Sequence, residues 1–352
     1  MSGHDLSRRG LLAAATLPLL PAHSLAQIVG QTSPGPVVGG WREAVVIVPD
    51  PAPWIETLTA VGGWEIAHRG PPDRALNAFW SLPAGARTEQ ALMRNIGTDK
   101  GFIRLVKVFG AEQRPIRPDD QAWESGGVQA LDLRVADMEA TRAALHARGW
   151  RAPSDPVRYK TYGVEVIQWA PSSPDGVRLS FIQRIAPPLQ GWAELKRWSR
   201  TSNAAVTVKD MAAAEAFYGG VLGLKLSFTS DTLGSDGPNV MGLPWSLAAQ
   251  SPVVIKGYAA PGGDAAVELI SIPAAAGRDH AAAAHPPNLG VAALRFVVGD
   301  APGLARRFAD RAGPLACPLQ AIDVAPYGPC RIFAVSAPDG VRLEFVEPSV
   351  KA

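Results

Sequence analysis

Polar and apolar positions along this chain repeat one motif several times. In residues 203–223, NAAVTVKDMAAAEAFYGGVLG, Ala204, Val206 and Val208 alternate with Asn203, Ala205 and Thr207, the period of a strand with one packed face. Asp210 then stands at a helix N-cap. Ala214, Phe217, Val221 and Leu222 fall on one helical face, and Gly223 supplies the stop. The pattern predicts a strand followed by a capped helix, with Tyr218 in the core.

The same strand–helix start recurs at residues 130–149 (ALDLRVADMEATRAALHARG) with Asp137 as cap, and at 293–313 (ALRFVVGDAPGLARRFADRAG) with Asp300. A weaker copy, EAVVIVPDPAPWIETLTAVGG, begins at Glu43 and uses Asp50. A second repeat is closer: SSPDGVRLSFIQ at 172–183 against SAPDGVRLEFVE at 336–347, each a Pro-Asp-Gly turn leading into an alternating strand. Four such starts and two such endings predict a doubled pair of units. Further strands are predicted near 63–70, 88–96, 101–109, 224–228, 252–260, 266–272 and 330–336.

In the run V-x-D-M-x-x-A-x-x-F-Y-x-x-V-L-G at 208–223 and the terminal P-D-G-x-x-L-E-F, the chain resembles the vicinal oxygen chelate superfamily. Glyoxalase I, bleomycin-resistance proteins, fosfomycin-resistance enzymes, methylmalonyl-CoA epimerase and extradiol dioxygenases are members. The resemblance implies an α+β fold of two tandem domains, each of two paired βαβββ modules forming a cup-shaped mixed sheet, with the ligand in the cup. It fixes no reaction, because one scaffold carries many chemistries.

Composition adds bounds. A chain of 352 residues with a doubled repeat fits two domains of about 150 residues each. A net charge of +2, with no stripe of Lys and Arg among aromatics, argues against a nucleic-acid partner, and a small-molecule ligand is what the resemblance implies. Residues 1–26 carry Arg8 and Arg9, a short apolar run and the small-residue sequence Ser24-Leu25-Ala26, the three parts of a twin-arginine export signal. That run is too short and too broken by proline to span a bilayer. A periplasmic protein is expected, handled by the twin-arginine translocase during export and left without a stable membrane anchor after cleavage. Residues 27–40 read as a linker, 41–185 as domain one, 186–198 as a connector and 199–348 as domain two. The resemblance leaves a homodimer open. Cys317 and Cys330 flank a predicted hairpin, where a bridge and two separate thiols are both compatible with the sequence.

The resemblance also implies where ligands sit: on the inward face of the first and last strands of each module, where residues two apart share a face. In domain two these positions are Asn203, Glu268, Ala293 and Glu344; in domain one they are Glu43, Arg104, Ala130 and Ser180. A set without His does not suit the two-His, one-carboxylate iron centre of an extradiol dioxygenase. Asn203, Glu268 and Glu344 would suit one divalent Mg, Mn or Ca ion in domain two. The alternative is a cup without metal, in which Glu268 and Glu344 pair with Arg295 and Arg342. For catalysis the expected assignment is Glu268 and Glu344 as general base and acid, with Arg295 holding an anionic oxygen. In domain one, expected to hold no metal, Asp132, Arg134 and Arg178 form either a closed ion-paired cluster or an anion site. His285 and Tyr327 are the loop residues placed to reach a cup. The expected function is lyase- or isomerase-like chemistry on a small organic molecule. The alternative is metal-free sequestration of the bleomycin-resistance kind.

Overall fold

All four strand–helix starts form where their pattern predicts, and the first and third helices pass into π-helical turns over Thr57–Val61 and Ala216–Val221. The computed structural model describes residues 39–349 except 71–73, 120, 162, 234–238, 251, 261–265 and 276, so the expected export signal at 1–26 lies outside the described residues. Module one comprises β1 (Trp41–Ile47), α1 (Pro51–Glu56), β2 (Trp64–Gly70), α2 (Arg74–Phe79), β3 (Arg87–Asn95) and β4 (Phe102–Phe109). Module two comprises β5 (Ala130–Val135), α3 (Met138–His146), β6 (Val157–Thr161), β7 (Val164–Trp169) and β8 (Arg178–Ala186). Module three comprises β9 (Trp198–Thr207), α4 (Met211–Glu215), β10 (Lys225–Leu233), α5 (Trp245–Ala248), β11 (Pro252–Ala259) and β12 (Ala266–Ser271). Module four comprises β13 (Gly290–Val297), α6 (Ala301–Ala312), β14 (Cys317–Val324), β15 (Gly328–Ser336) and β16 (Arg342–Pro348).

Asp50, Asp137, Asp210 and Asp300 each cap their helix by accepting from a first-turn amide, those of Ala52, Ala140, Ala213 and Gly303. The short helices α2 and α5 are additions that the pattern does not predict. They sit between the second and third strands of modules one and three. Cys317 and Cys330 are buried thiols rather than a bridge: across the β14–β15 ladder Cys317 faces Ala334, and Cys330 faces Ile322.

Two eight-stranded mixed sheets result, as the α+β expectation requires, but the modules pair differently. Sheet I runs β14-β15-β16-β13-β1-β4-β3-β2 and joins modules one and four. Sheet II runs β10-β11-β12-β9-β5-β8-β7-β6 and joins modules two and three. Pairing within 41–185 and within 199–348 is therefore corrected. The seams are antiparallel, with Glu43 opposite Arg295 in sheet I and Asp132 opposite Asn203 in sheet II.

Connection length gives the physical reason. Only the connector between β8 and β9 is short, so modules two and three stay in one sheet. The longer segments after β4 and after β12 cross between sheets side by side. Ile116 N donates to Leu289 O at 2.8 Å, Leu289 N to Arg114 O at 2.9 Å, and His280 N to Ser125 O at 2.8 Å.

Alternate residues on each strand face opposite ways. Ala44, Val46, Ala204, Val206, Leu294 and Phe296 belong to the large core under the helices, together with Phe217, Tyr218 and Phe308. Their neighbours Glu43, Val45, Asn203 and Ala205 face the concave sides. The described residues belong to one compact unit.

Candidate functional site

The concave side of sheet I is filled by its own charges. Glu43 on β1, Arg104 on β4, Arg295 on β13 and Glu344 on β16 are all fully buried. Glu43 Oε1 accepts from Arg104 Nε at 2.7 Å and from Arg295 Nη1 at 2.6 Å. Its Oε2 accepts from Arg104 Nη2 and from the Tyr327 hydroxyl, each at 3.0 Å. Glu344 Oε2 takes Arg295 Nε at 3.0 Å and Nη2 at 2.7 Å, while Oε1 takes Trp80 Nε1 at 2.8 Å and Arg342 Nε at 3.0 Å. Burial alone would raise both carboxyls. The arginine charges outweigh it and hold both below the ordinary range. Phe79 at the end of α2 and the adjacent Trp80 complete the plug, with the Arg342 guanidinium 5.1 Å from the Phe79 ring. Sheet I is a closed polar core.

Sheet II has the same frame and different chemistry. Asp132 on β5 and Asn203 on β9 meet across the module seam, Asn203 Nδ2 donating to Asp132 Oδ2 at 3.0 Å. Ser180 on β8, opposite Asp132, accepts from Gln168 Nε2 at 2.9 Å, and Gln168 Oε1 in turn accepts from the Tyr159 hydroxyl. Glu268 on β12 lies across the seam from Asp132 and is half-buried, as are Arg134, Tyr159, Gln168 and Arg184. The far end is closed by Leu243, Ala248, Val253 and Ile270, which pack around α5 as an apolar stopper. On the rim, Phe228 lies against Gly257, where an added Cβ would come within 2.1 Å of its ring.

Burial pushes the Asp132 carboxyl up to about 6, against the hydrogen bonds of Asn203 and Ser180 and the charge of Arg134. Glu268 is pushed up to about 8 by burial and then by the Asp132 charge, with Arg134 and Asn203 opposing. Two carboxyl groups sharing one hollow thus titrate apart on the two sides of neutrality.

The expected site residues are divided between the cups. Glu344 and Arg295 lie in the closed cup of sheet I, while Glu268 and Asn203 lie in sheet II. The pair Glu268 with Glu344 and the triad Asn203, Glu268, Glu344 are therefore corrected: the module pairing carries β12 and β16 into different sheets. Tyr327 reaches the sheet I cup. His285 is exposed on the crossover, its Nδ1 at 2.6 Å from Pro286 O. Asp132 is the partner that the sequence pattern does not join to Glu268. The signal that could have found it is the alternation of β5, which puts Asp132 two residues from the expected inward position Ala130 and so on the same face.

Residues 200–345 match the model of the Glyoxalase/Bleomycin resistance protein/Dioxygenase superfamily. The matched stretch belongs to that superfamily. Among solved structures, glyoxalase I from Zea mays is similar over 88% of this chain and 92% of that one, at 14% identity and a TM-score of 0.57. A putative dioxygenase from Bacillus subtilis is similar over 90% of this chain and 87% of that one, at 13% identity and a TM-score of 0.56. At these identities the likeness is one of fold. No curated protein sequence matches the chain.

Metal-dependent members of the superfamily hold a divalent ion in the cup, and the residues here do not fit one. In sheet I every oxygen of Glu43 and Glu344 already accepts two hydrogen bonds, and the Arg295 guanidinium stands between the two carboxylates. In sheet II two carboxyls and one amide share the hollow with Arg134. Among the described residues no group of three or more His, Cys, Asp or Glu is placed to hold a metal.

Proposed function

We propose that the sheet II cup carries out proton transfer on a small organic molecule, without a metal, in the manner of an isomerase or lyase. The supporting observation is that paired modules bring buried Asp132 and half-buried Glu268 together on the concave side of sheet II, with pKa values raised to about 6 and about 8. At neutral pH Asp132 is then mostly ionised and Glu268 mostly protonated, the states required of a base and an acid. Asp132 takes a proton from a carbon beside a carbonyl, and Glu268 gives one to the carbonyl oxygen, leaving a neutral enol. In a hydroxycarbonyl substrate, delivery of the Asp132 proton to the former carbonyl carbon, as Glu268 takes the proton of the other hydroxyl, completes an isomerisation; alternatively, Glu268 takes back the enol proton as a leaving group beta to the carbonyl departs with its bonding pair, which completes an elimination. Asn203 Nδ2 fixes the base, while its Oδ1, left without a partner, is an acceptor suited to a protonated neighbour such as Glu268.

The test is solvent exchange. The purified full chain in D2O is offered a panel of small 2-oxo acids, hydroxyaldehydes and hydroxyketones, and loss of the carbon-bound proton is followed by proton NMR. Exchange that slows by about 100-fold or more in Asp132→Asn and in Glu268→Gln supports the reading. Equal exchange in both variants and the parent removes it. A second reading, metal-free binding without turnover, is favoured by the aromatic rim of Phe228 and Tyr159. A molecule that co-purifies and shows no exchange would select it.

We also propose that the protein works outside the cytoplasm after export. Arg8→Lys with Arg9→Lys should then hold it in the cytoplasmic fraction, and unchanged export would sink the idea.

A further inference from the structure

The arginines of the two cups differ in what answers them. In sheet I, Arg104 and Arg295 are matched by carboxylates built into the fold, at 2.6 to 3.0 Å. In sheet II, Arg134 on β5 and Arg184 on β8 face the concave side, and the Nε atom of each is buried with no hydrogen-bond partner. Neither guanidinium is ion-paired among the described residues. Asp132 is turned onto Asn203 instead. A buried, unanswered guanidinium N–H is costly to leave unmade, and two cations on adjacent strands repel. Asp132 acts on Arg134 through its charge alone, and no carboxylate of the described residues is bonded to either guanidinium, which leaves their N–H groups for an anion from outside.

We propose that the sheet II cup takes a small carboxylic acid, its carboxylate held by the guanidinium groups of Arg134 and Arg184. This rests on the reading of sheet II as the working cup and names the substrate class for it. Charge favours a carboxylate over a phosphate. Among Asp132, Glu268, Arg134 and Arg184, with Glu268 protonated and Asp132 ionised, one positive charge is left, which a monoanion cancels and a phosphate dianion overshoots. Planar guanidinium forks also match a carboxylate in two-point bonding. Spacing limits the length of the molecule. Arg134 and Asp132 are two residues apart on one strand face, about 7 Å, so the carbon that loses its proton lies only a few bonds from the carboxylate. A short-chain oxo or hydroxy acid meets that limit.

The test is calorimetric titration of the full chain with acetate, 2-oxobutyrate and benzoate, against acetamide, 2-oxobutyramide and benzamide, and against inorganic phosphate. Expected are binding of at least one carboxylate, at least about tenfold weaker binding of its amide, and a similar loss in Arg134→Gln and in Arg184→Gln. Arg134→Lys should recover part of the affinity. Arg331→Gln, an exposed arginine paired with Glu347 on the other sheet, should lose none. Circular dichroism and melting of each variant confirm that it is folded; if either Gln variant fails to fold, the Lys variants at both positions carry the comparison. Amides or phosphate binding as well as carboxylates, no binding of any probe, or affinity unchanged in the variants would overturn the proposal. Carboxylates that bind through these arginines but never exchange a proton would sink the proton-transfer reading and leave this one standing. Exchange confined to neutral ketones would do the reverse.

Discussion

Arg295 bonds one oxygen of Glu344 through both Nε, at 3.0 Å, and Nη2, at 2.7 Å, with neither side chain exposed. A third nitrogen, Nη1, reaches Glu43 at 2.6 Å, so one guanidinium ties module four to module one across the seam of sheet I. Removing one partner of a buried pair leaves an uncompensated charge. Arg295→Met should therefore destabilise the chain by about 3–5 kcal/mol, read as a lower urea midpoint. Co-replacement of Glu344 by Leu should recover part of that loss. A single variant as stable as the parent would contradict a structural role for this cluster.

The two cups pull the pH dependence of stability in opposite directions. Glu43 and Glu344 are held below their ordinary value of 4.5, so the folded state binds fewer protons there. Their contribution is present above 4.5 and is lost as the pH falls further. Glu268 is raised from 4.5 to about 8, so the folded state holds its proton longer than the unfolded chain does. Its contribution is complete below 4.5 and is lost as the pH rises through about 8. Melting temperature should accordingly decline from mildly acidic pH towards pH 8, and Glu268→Gln should flatten that decline without altering the acid limb. An unchanged slope in the variant would count against the raised carboxyl.

Much of this architecture is legible in the sequence, because its signals are local. Asp50, Asp137, Asp210 and Asp300 announce four helix starts, and the two Pro-Asp-Gly turns announce the closing strands β8 and β16. Which modules share a sheet is a long-range choice that no strand pattern carries. Ala204 and Ala293 alternate in the same way whether their strands meet each other or meet β5 and β1. The clue lay in the connections: a short one between β8 and β9, and long crossovers on either side. Without that step Glu268 is joined to Glu344, and the contact between Asp132 and Asn203 stays hidden.

Gly257 is a packing constraint on the sheet II cup. A Cβ there would lie 2.1 Å from Phe228 Cε1, so Gly257→Ala must displace the ring. A cost of about 1–3 kcal/mol is expected, together with altered ligand binding. Phe228→Leu should relieve much of the strain, and a double-mutant cycle with no coupling would contradict the contact.

The donor sets of both cups predict indifference to chelation. The full chain dialysed against EDTA should keep its melting temperature and its ligand binding, and elemental analysis should find less than stoichiometric divalent metal. A melting temperature that drops on chelation and returns with Mg, Mn or Ca would show that the residues accept an ion after all.

Everything functional turns on the protonation of two side chains, which carbon-13 NMR of chain labelled at the Asp and Glu carboxyls reads directly. The account predicts one Glu carboxyl titrating near pH 8 that vanishes in Glu268→Gln and moves down in Asp132→Asn, and one Asp carboxyl near pH 6. If the Glu268 and Asp132 signals both titrate below pH 5, the sheet II cup is an ordinary polar pocket and the proton-transfer reading is wrong.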